Sequence, residues 1–191
     1  GFSLFPKVGV PQFLVQIEAE EGASVAATDA IARQVEAVLK RNAAVGNCFT
    51  TVGNNNPQIY YNEVPQATKA NVAEIFAALK NYDPTRSAAD FAALRTEVAK
   101  IAGARIVVKE FENGPPIEAP IAVRIFGDDL GLLAAQAGRV EALLRGIEGT
   151  QSINNPVRVR RTDLRVVIDK PQAALLGVSE AEIDRAVRLA F

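Results

Sequence analysis

The chain has 191 residues, a formal charge of −1 with interspersed signs, and 49% apolar residues, with one cysteine and no histidine, methionine or tryptophan. That balance argues against nucleic acid or an anionic membrane surface as partner, and the apolar share is ample for a core. A single thiol excludes an internal disulfide, and the lack of histidine excludes a Ser-His or Cys-His nucleophile and leaves a zinc or haem site without its usual donors.

No apolar run approaches the roughly 18 residues that span a bilayer, and no signal peptide is visible. Cys48, flanked by Val45, Phe49 and Val52, reads as a buried thiol. The chain has no initiator methionine, and its last residues, Ser179 to Phe191, form a helical pattern without a stop signal. It therefore reads as a fragment cut from a longer protein.

Pro11 to Glu18 is predicted as a strand with Phe13, Val15 and Ile17 on one face. Ser24 can cap the following helix, striped by Ile31, Val35, Val38 and Leu39. A second strand is expected around Asn47 to Val52. Gly53-Asn54-Asn55-Asn56-Pro57 then breaks the chain, and Gln58 to Asn62 reads as extended. Asn71 to Lys80 suits either a helix or a strand, because its residues are good helix formers and Asn71 can cap. Ser87 opens a helix with Asp90 at the capping-box position and Phe91, Leu94, Val98 and Ile101 as its stripe. Gly103 ends it, and Ala104 to Phe111 is a β-branched strand.

Glu112 to Gly127 is a joint. Asn113-Gly114-Pro115-Pro116 cannot continue a helix or a central strand. Ile121 to Phe126 then alternates as a strand, with Ile121, Val123 and Ile125 on one face. Asp129 caps a helix striped by Leu133, Ala137, Val140, Leu144 and Ile147, which Gly149 ends. Strands near Thr150 to Ile153 and Thr162 to Asp169 follow, then Gln172 to Leu176. The final helix opens with Ser179 and Glu182 as a capping box. The fold class is thus α+β, with two ferredoxin-like (split βαβ) two-layer sandwiches, residues 1–114 and 115–191, the second incomplete.

Two pairs of carboxylates occur, Asp128 with Asp129 and Glu110 with Glu112. The first marks a helix N-terminus and the second alternates along a strand end. Neither has a partner base, so no catalytic residue, resident metal site or cofactor is assigned.

Several stretches, taken in order, resemble the periplasmic porter region of RND efflux transporters of the acriflavin-resistance type. They begin with Leu4-Phe5-Pro6-Lys7, Pro11 to Ile17, Glu21-Gly22-Ala23-Ser24 and Thr28-Asp29. Val52-Gly53, Asn56 to Asn62, Gly103 to Ile106 and Gly114 to Pro120 follow. Asp163 to Val166, Asp169-Lys170 and Leu176 to Ser179 complete the set. The resemblance implies the first C-terminal porter subdomain up to about Gly114 and the first half of the second from Pro116. It also implies that Ala73 to Lys80 is a strand.

What the resemblance implies is transport. Such pumps are bacterial inner-membrane homotrimers that exchange protons for amphiphilic small molecules and work with a periplasmic adaptor and an outer-membrane channel. This segment would be periplasmic and form part of the substrate cleft. Gly53, Asn54, Asn55, Asn56 and Pro57 lie where the family carries its switch loop, although a plain hairpin turn fits the same residues. The loop lacks the aromatic residues that line it in drug-type pumps.

Asn154 and Asn155 match a pocket-lining turn, with Arg158, Arg160 and Arg161 close by; an exposed basic turn is the alternative. Gln16 and Lys109 would face the cleft from strands, or be ordinary polar strand positions. Asn113 and Gly114 would be the hinge. Two rivals stand beside the multidrug expectation. One is a heavy-metal exporter of the same family, opposed by the lack of the methionines that suit a soft ion such as copper. The other is a stand-alone ferredoxin-like ligand-binding module.

Overall fold

The computed structural model describes residues 6–63, 65, 68–116, 119, 121–150, 152–158 and 165–190. Strand β1 (Gln12–Ala19) leads into helix α1 (Val25–Arg41) and strand β2 (Val45–Val52). Strand β3 (Val72–Leu79), helix α2 (Arg86–Val98) and strand β4 (Ala104–Glu110) complete a split βαβ unit. The sheet order is β2-β3-β1-β4 with every neighbouring pair antiparallel. The ferredoxin-like expectation for this half holds.

Period-2 alternation decides the two faces of the sheet. Phe13, Val15 and Ile17 of β1 join Ala73, Ile75, Ala77 and Leu79 of β3 beneath the helices. Val35 and Leu39 of α1 and Phe91, Leu94 and Val98 of α2 close this core. Phe13 and Phe91 meet edge to face, with centroids 5.2 Å apart at 79°. Burying side chains of this size contributes about 1.5–3 kcal/mol each. Cys48 lies on the helix-facing side, partly buried, and burial raises its thiol pKa.

The stretch from Asn71 to Lys80 resolves as strand β3. Its residues favour a helix locally, but tertiary pairing prevails: β3 is hydrogen-bonded on both sides, to β1 and β2. Helix α1 starts as expected, with the Ser24 hydroxyl accepting from the Ala27 amide. The Ser87–Asp90 capping box does not form. Instead the Asp83 carboxylate accepts from the Thr85 and Arg86 amides at 2.8 and 3.0 Å, and Ser87 Oγ accepts from the Asp83 amide at 3.0 Å. The carboxylate before Pro84 reaches the free amides first, so the helix begins earlier.

Two compact units divide the chain, residues 1–159 and 160–191. Beyond the sheet, the first contains helix α3 (Leu130–Arg145), capped by Asp129 Oδ1 accepting from the Leu132 amide at 2.9 Å, and a short 3-10 turn (Pro156–Arg158). The second contains helices α4 (Lys170–Leu175) and α5 (Glu180–Ala190). The Ser179–Glu182 capping box forms there, with Glu182 accepting from the Ser179 amide at 2.8 Å.

The strand expected over Ile121–Phe126 is absent; its described residues are irregular, with Ile121 75% and Phe126 87% exposed. Residues 152–155 and 165–169 are irregular as well, so the strands expected there do not form among the described residues, and 162–164 lie outside them. Alternation marks a strand face but supplies no ladder partner, and no described segment pairs with these residues. Gln172–Leu176 lies in and just after α4. Gln58 to Asn62 also departs from expectation, closing a turn in which the Glu63 amide donates to Tyr60 O at 3.1 Å.

Candidate functional site

The sheet face away from the helices carries a row of polar side chains set by register. Thr51 of β2 lies opposite Glu74 of β3, which lies opposite Gln16 of β1. In the adjacent row Leu14 of β1 lies opposite Lys109 of β4. The described residues of the connection between β2 and β3, 53–63 among them, fold over this face and form a shallow open recess. Its floor is Leu14, Glu74 and Phe111; Asn56, Pro57, Ile59, Tyr60 and Glu63 bound it from the connection.

The connection leaves β2 through Gly53, whose φ of +77° is costly for a residue with a Cβ. Its amide donates to Val72 O at 2.8 Å, which starts the loop back across β3. Asn54 Oδ1 accepts from the Asn55 amide and the Thr68 hydroxyl.

Asn56 is the inward anchor, 5% exposed. Its amide donates to Glu74 Oε1 at 3.1 Å, its Nδ2 to Glu74 O at 3.4 Å, and its Oδ1 accepts from the Thr51 hydroxyl at 2.7 Å. Glu74 is 8% exposed and also accepts from the Gln16 side chain. Burial raises the Glu74 pKa above its ordinary range, opposed by these hydrogen bonds and reinforced by the Glu63 charge. Glu63 is held from the wall by Lys109, Nζ to Oε2 at 2.8 Å.

The far end of the connection grips the joint after β4. Tyr60 stacks on Phe111 at 5.1 Å and its hydroxyl donates to Asn113 Oδ1 at 3.2 Å. Tyr61 Oη accepts from the Gly114 amide at 2.9 Å and donates to Gly114 O at 3.1 Å. Asn62 Nδ2 donates to Glu112 O and Gly114 O at 2.9 and 3.0 Å. Gly114 has φ +113°, a conformation that favours glycine.

Of the expected residues, Asn56 and Pro57 line the recess, Gln16 and Lys109 meet its carboxylates Glu74 and Glu63, and the loop's continuation is tied to Asn113 and Gly114. Asn154 and Asn155 do not line the recess. Asn154 is exposed, while Asn155 Nδ2 donates to Glu141 Oε2 of α3 at 2.8 Å and its Oδ1 accepts from the Val157 amide. Of the nearby arginines, Arg160 and Arg161 lie outside the described residues.

Sequence reasoning did not single out Glu63, Glu74, Tyr60, Tyr61 or Asn62 as site residues. Glu74 carried a usable signal once its segment is a strand: a carboxylate amid Val72, Ala73, Ile75 and Phe76 is a charge in an apolar run and needs partners. The two recess carboxylates are each met by protein donors, Glu74 by the Asn56 amide and the Gln16 side chain and Glu63 by Lys109. No cluster of three or more His, Cys, Asp or Glu occurs among the described residues.

A family model described as the AcrB/AcrD/AcrF family matches residues 1–191. The cation efflux system protein CzcA of an Alcaligenes species is 24% identical over 98% of this chain and 18% of its own length. The cobalt-zinc-cadmium resistance protein CzcA of Cupriavidus metallidurans is 30% identical over 55% of this chain and 10% of its own. The chain thus spans less than a fifth of the relatives it matches. Two crystal forms of a heavy metal efflux pump share its fold, with TM-scores of 0.69 and 0.68 at 15% identity, covering 93% and 96% of this chain and 19% of theirs.

Proposed function

Since the chain belongs to the AcrB/AcrD/AcrF family of RND efflux transporters, we propose that it is the substrate-handling porter segment of a divalent-cation exporter. The carrying observation is the convergence of Glu63 and Glu74 on one recess, with Gln16 and Asn56 beside them. The relatives named for cation efflux and for cobalt, zinc and cadmium support the same choice. The lack of methionine counts only against a soft ion such as cuprous copper; zinc also accepts carboxylate oxygen. The multidrug alternative draws on Leu14, Ile59, Tyr60 and Phe111, the apolar part of the same recess.

The working unit would be a periplasmic part of an inner-membrane homotrimer, with an adaptor and an outer-membrane channel as partners, as family membership suggests. No described helix is long and apolar enough to cross a membrane. Residues 1–114 and 115–191 would act as two porter subdomains pivoting at Asn113 and Gly114. The loop from Gly53 to Pro57 would be the switch, with Asn154 and Asn155 contributing to the wider cleft. Isothermal titration of the chain with zinc, cobalt and cadmium, beside a cationic amphiphilic dye, tests this. Metal binding that is lost in Glu63→Gln/Glu74→Gln supports the cation reading. Dye binding without metal binding restores the multidrug one.

A further inference from the structure

The connection between β2 and β3 is held at two places by different parts of the fold. Over the sheet, Asn56 is seated on Glu74 of β3 and accepts from Thr51 of β2. Further along, Tyr60, Tyr61 and Asn62 grip Asn113 Oδ1, both backbone groups of Gly114 and the Glu112 carbonyl. Tyr61 is 63% exposed, so water can replace its bonds at little net cost. Asn62 Oδ1 is buried and meets no donor among the described residues, so opening the grip would let water reach an acceptor that the closed grip leaves unpaired.

The two holds share a wall. Phe111 floors the recess, stacks on the Tyr60 ring at 5.1 Å, and immediately precedes the gripped residues. Tyr60 in turn lies 4.9 Å from Tyr61. The N-terminal segment fixes the joint independently: the Asn113 amide donates to Pro6 O at 3.0 Å, and Lys7 bridges Glu112.

We propose that residues 56–62 form one strap that clasps the joint at Gly114 while Asn56 is seated on Glu74, and releases it when Asn56 lifts. The clasped and released strap are the two states, and both holds bias the same equilibrium. A guest that displaces Asn56 from the recess therefore frees the joint. Gly114, at φ +113°, is the residue set free, and glycine has the backbone range to use that freedom. The inference deepens the porter reading by coupling its recess to its joint, and it holds for any cargo.

The test is amide hydrogen exchange of the whole chain, read residue by residue by NMR. Asn56→Ala changes nothing at the joint, yet the Gly114 amide should exchange about five-fold faster, as it should in Tyr61→Phe. Thr51→Val, which removes only the hydroxyl donor to Asn56, should move the same amide in the same direction. The double variant Asn56→Ala/Tyr61→Phe should be no faster at Gly114 than Tyr61→Phe alone, because the clasp is then already lost. Coupling is reciprocal, so Tyr61→Phe should also speed exchange of the Asn56 amide. The Asn113 amide, held by Pro6, should keep its rate throughout. A Gly114 rate unmoved by Asn56→Ala and Thr51→Val overturns the strap, as does a double variant in which the two effects multiply to about 25-fold. Equal acceleration of Asn113 overturns it too, since the whole joint would then have loosened. If Asn56→Ala costs β1 and β3 their protection, Thr51→Val decides alone. None of these failures touches the recess as a cargo site, which the titration tests separately.

Discussion

Asn56→Ala isolates the anchor of the recess loop. The substitution removes the 2.7 Å bond from the Thr51 hydroxyl and the 3.4 Å bond to Glu74 O, but leaves the backbone amide able to donate to Glu74 Oε1. A net protein hydrogen bond is worth about 0.5–1.5 kcal/mol, and the longer of these two lies at the weak end. The expected loss is therefore about 1–2 kcal/mol, confined to the loop because Asn56 belongs to no strand or helix. Amide hydrogen exchange reads this directly. Amides from Asn55 to Asn62 should exchange roughly 5–30-fold faster, while the paired strands β1 and β3 keep their protection. Unchanged loop exchange would refute the anchoring role, and uniform acceleration through the sheet would show that Asn56 supports the whole fold.

Three further outcomes are expected. Because burial raises the Glu74 pKa, its ionisation costs stability: that stability is full below the unfolded carboxylate value, about 4.3, and is lost as pH rises through the folded one. Glu74→Gln keeps an acceptor for the Asn56 amide, so its melting temperature should gain on wild type as pH climbs through that window; a constant difference would contradict the assignment. Phe91, fully buried against Phe13, should cost about 3–5 kcal/mol on Phe91→Ala in urea unfolding, and a loss below about 1 kcal/mol would displace it from the core. Tyr61→Phe removes the hydroxyl that holds both polar groups of Gly114, so the Gly114 amide should exchange about five-fold faster; no change would detach the loop from the joint.

Much of the first sandwich is legible in the sequence because each element declares itself locally. Phe13, Val15 and Ile17 alternate, Val35 and Leu39 recur at helical spacing, and Ser24 stands where a cap is needed. Strand β3 is the exception, since an alanine-rich run with a capping asparagine carries helical propensity, and only pairing on both sides makes it a strand. The segment from Ile121 to Phe126 errs in the opposite sense: its alternation is genuine, yet a strand is a relation between two segments and it has no described partner.

The site was partly legible for a similar reason. Gln16, Lys109 and the loop from Gly53 to Pro57 stand out as polar or flexible positions. Glu63 and Glu74 become visible only when the register brings β1, β3 and the folded-back connection together. The lack of methionine was informative about ligand softness alone. Carboxylate donors leave no comparable compositional mark, because acidic residues are common on every surface.

The most direct measurement is metal transport by the full-length pump that carries this segment. Cells lacking their own exporters would be loaded with zinc, and efflux would be followed with a fluorescent indicator for wild type, Glu63→Gln, Glu74→Gln and the double variant. Zinc efflux by wild type, cut at least ten-fold in the double variant at equal expression, is the expected result. Efflux of amphiphilic dye but not zinc, or zinc efflux indifferent to both carboxylates, would contradict the assignment of this recess to a divalent cation.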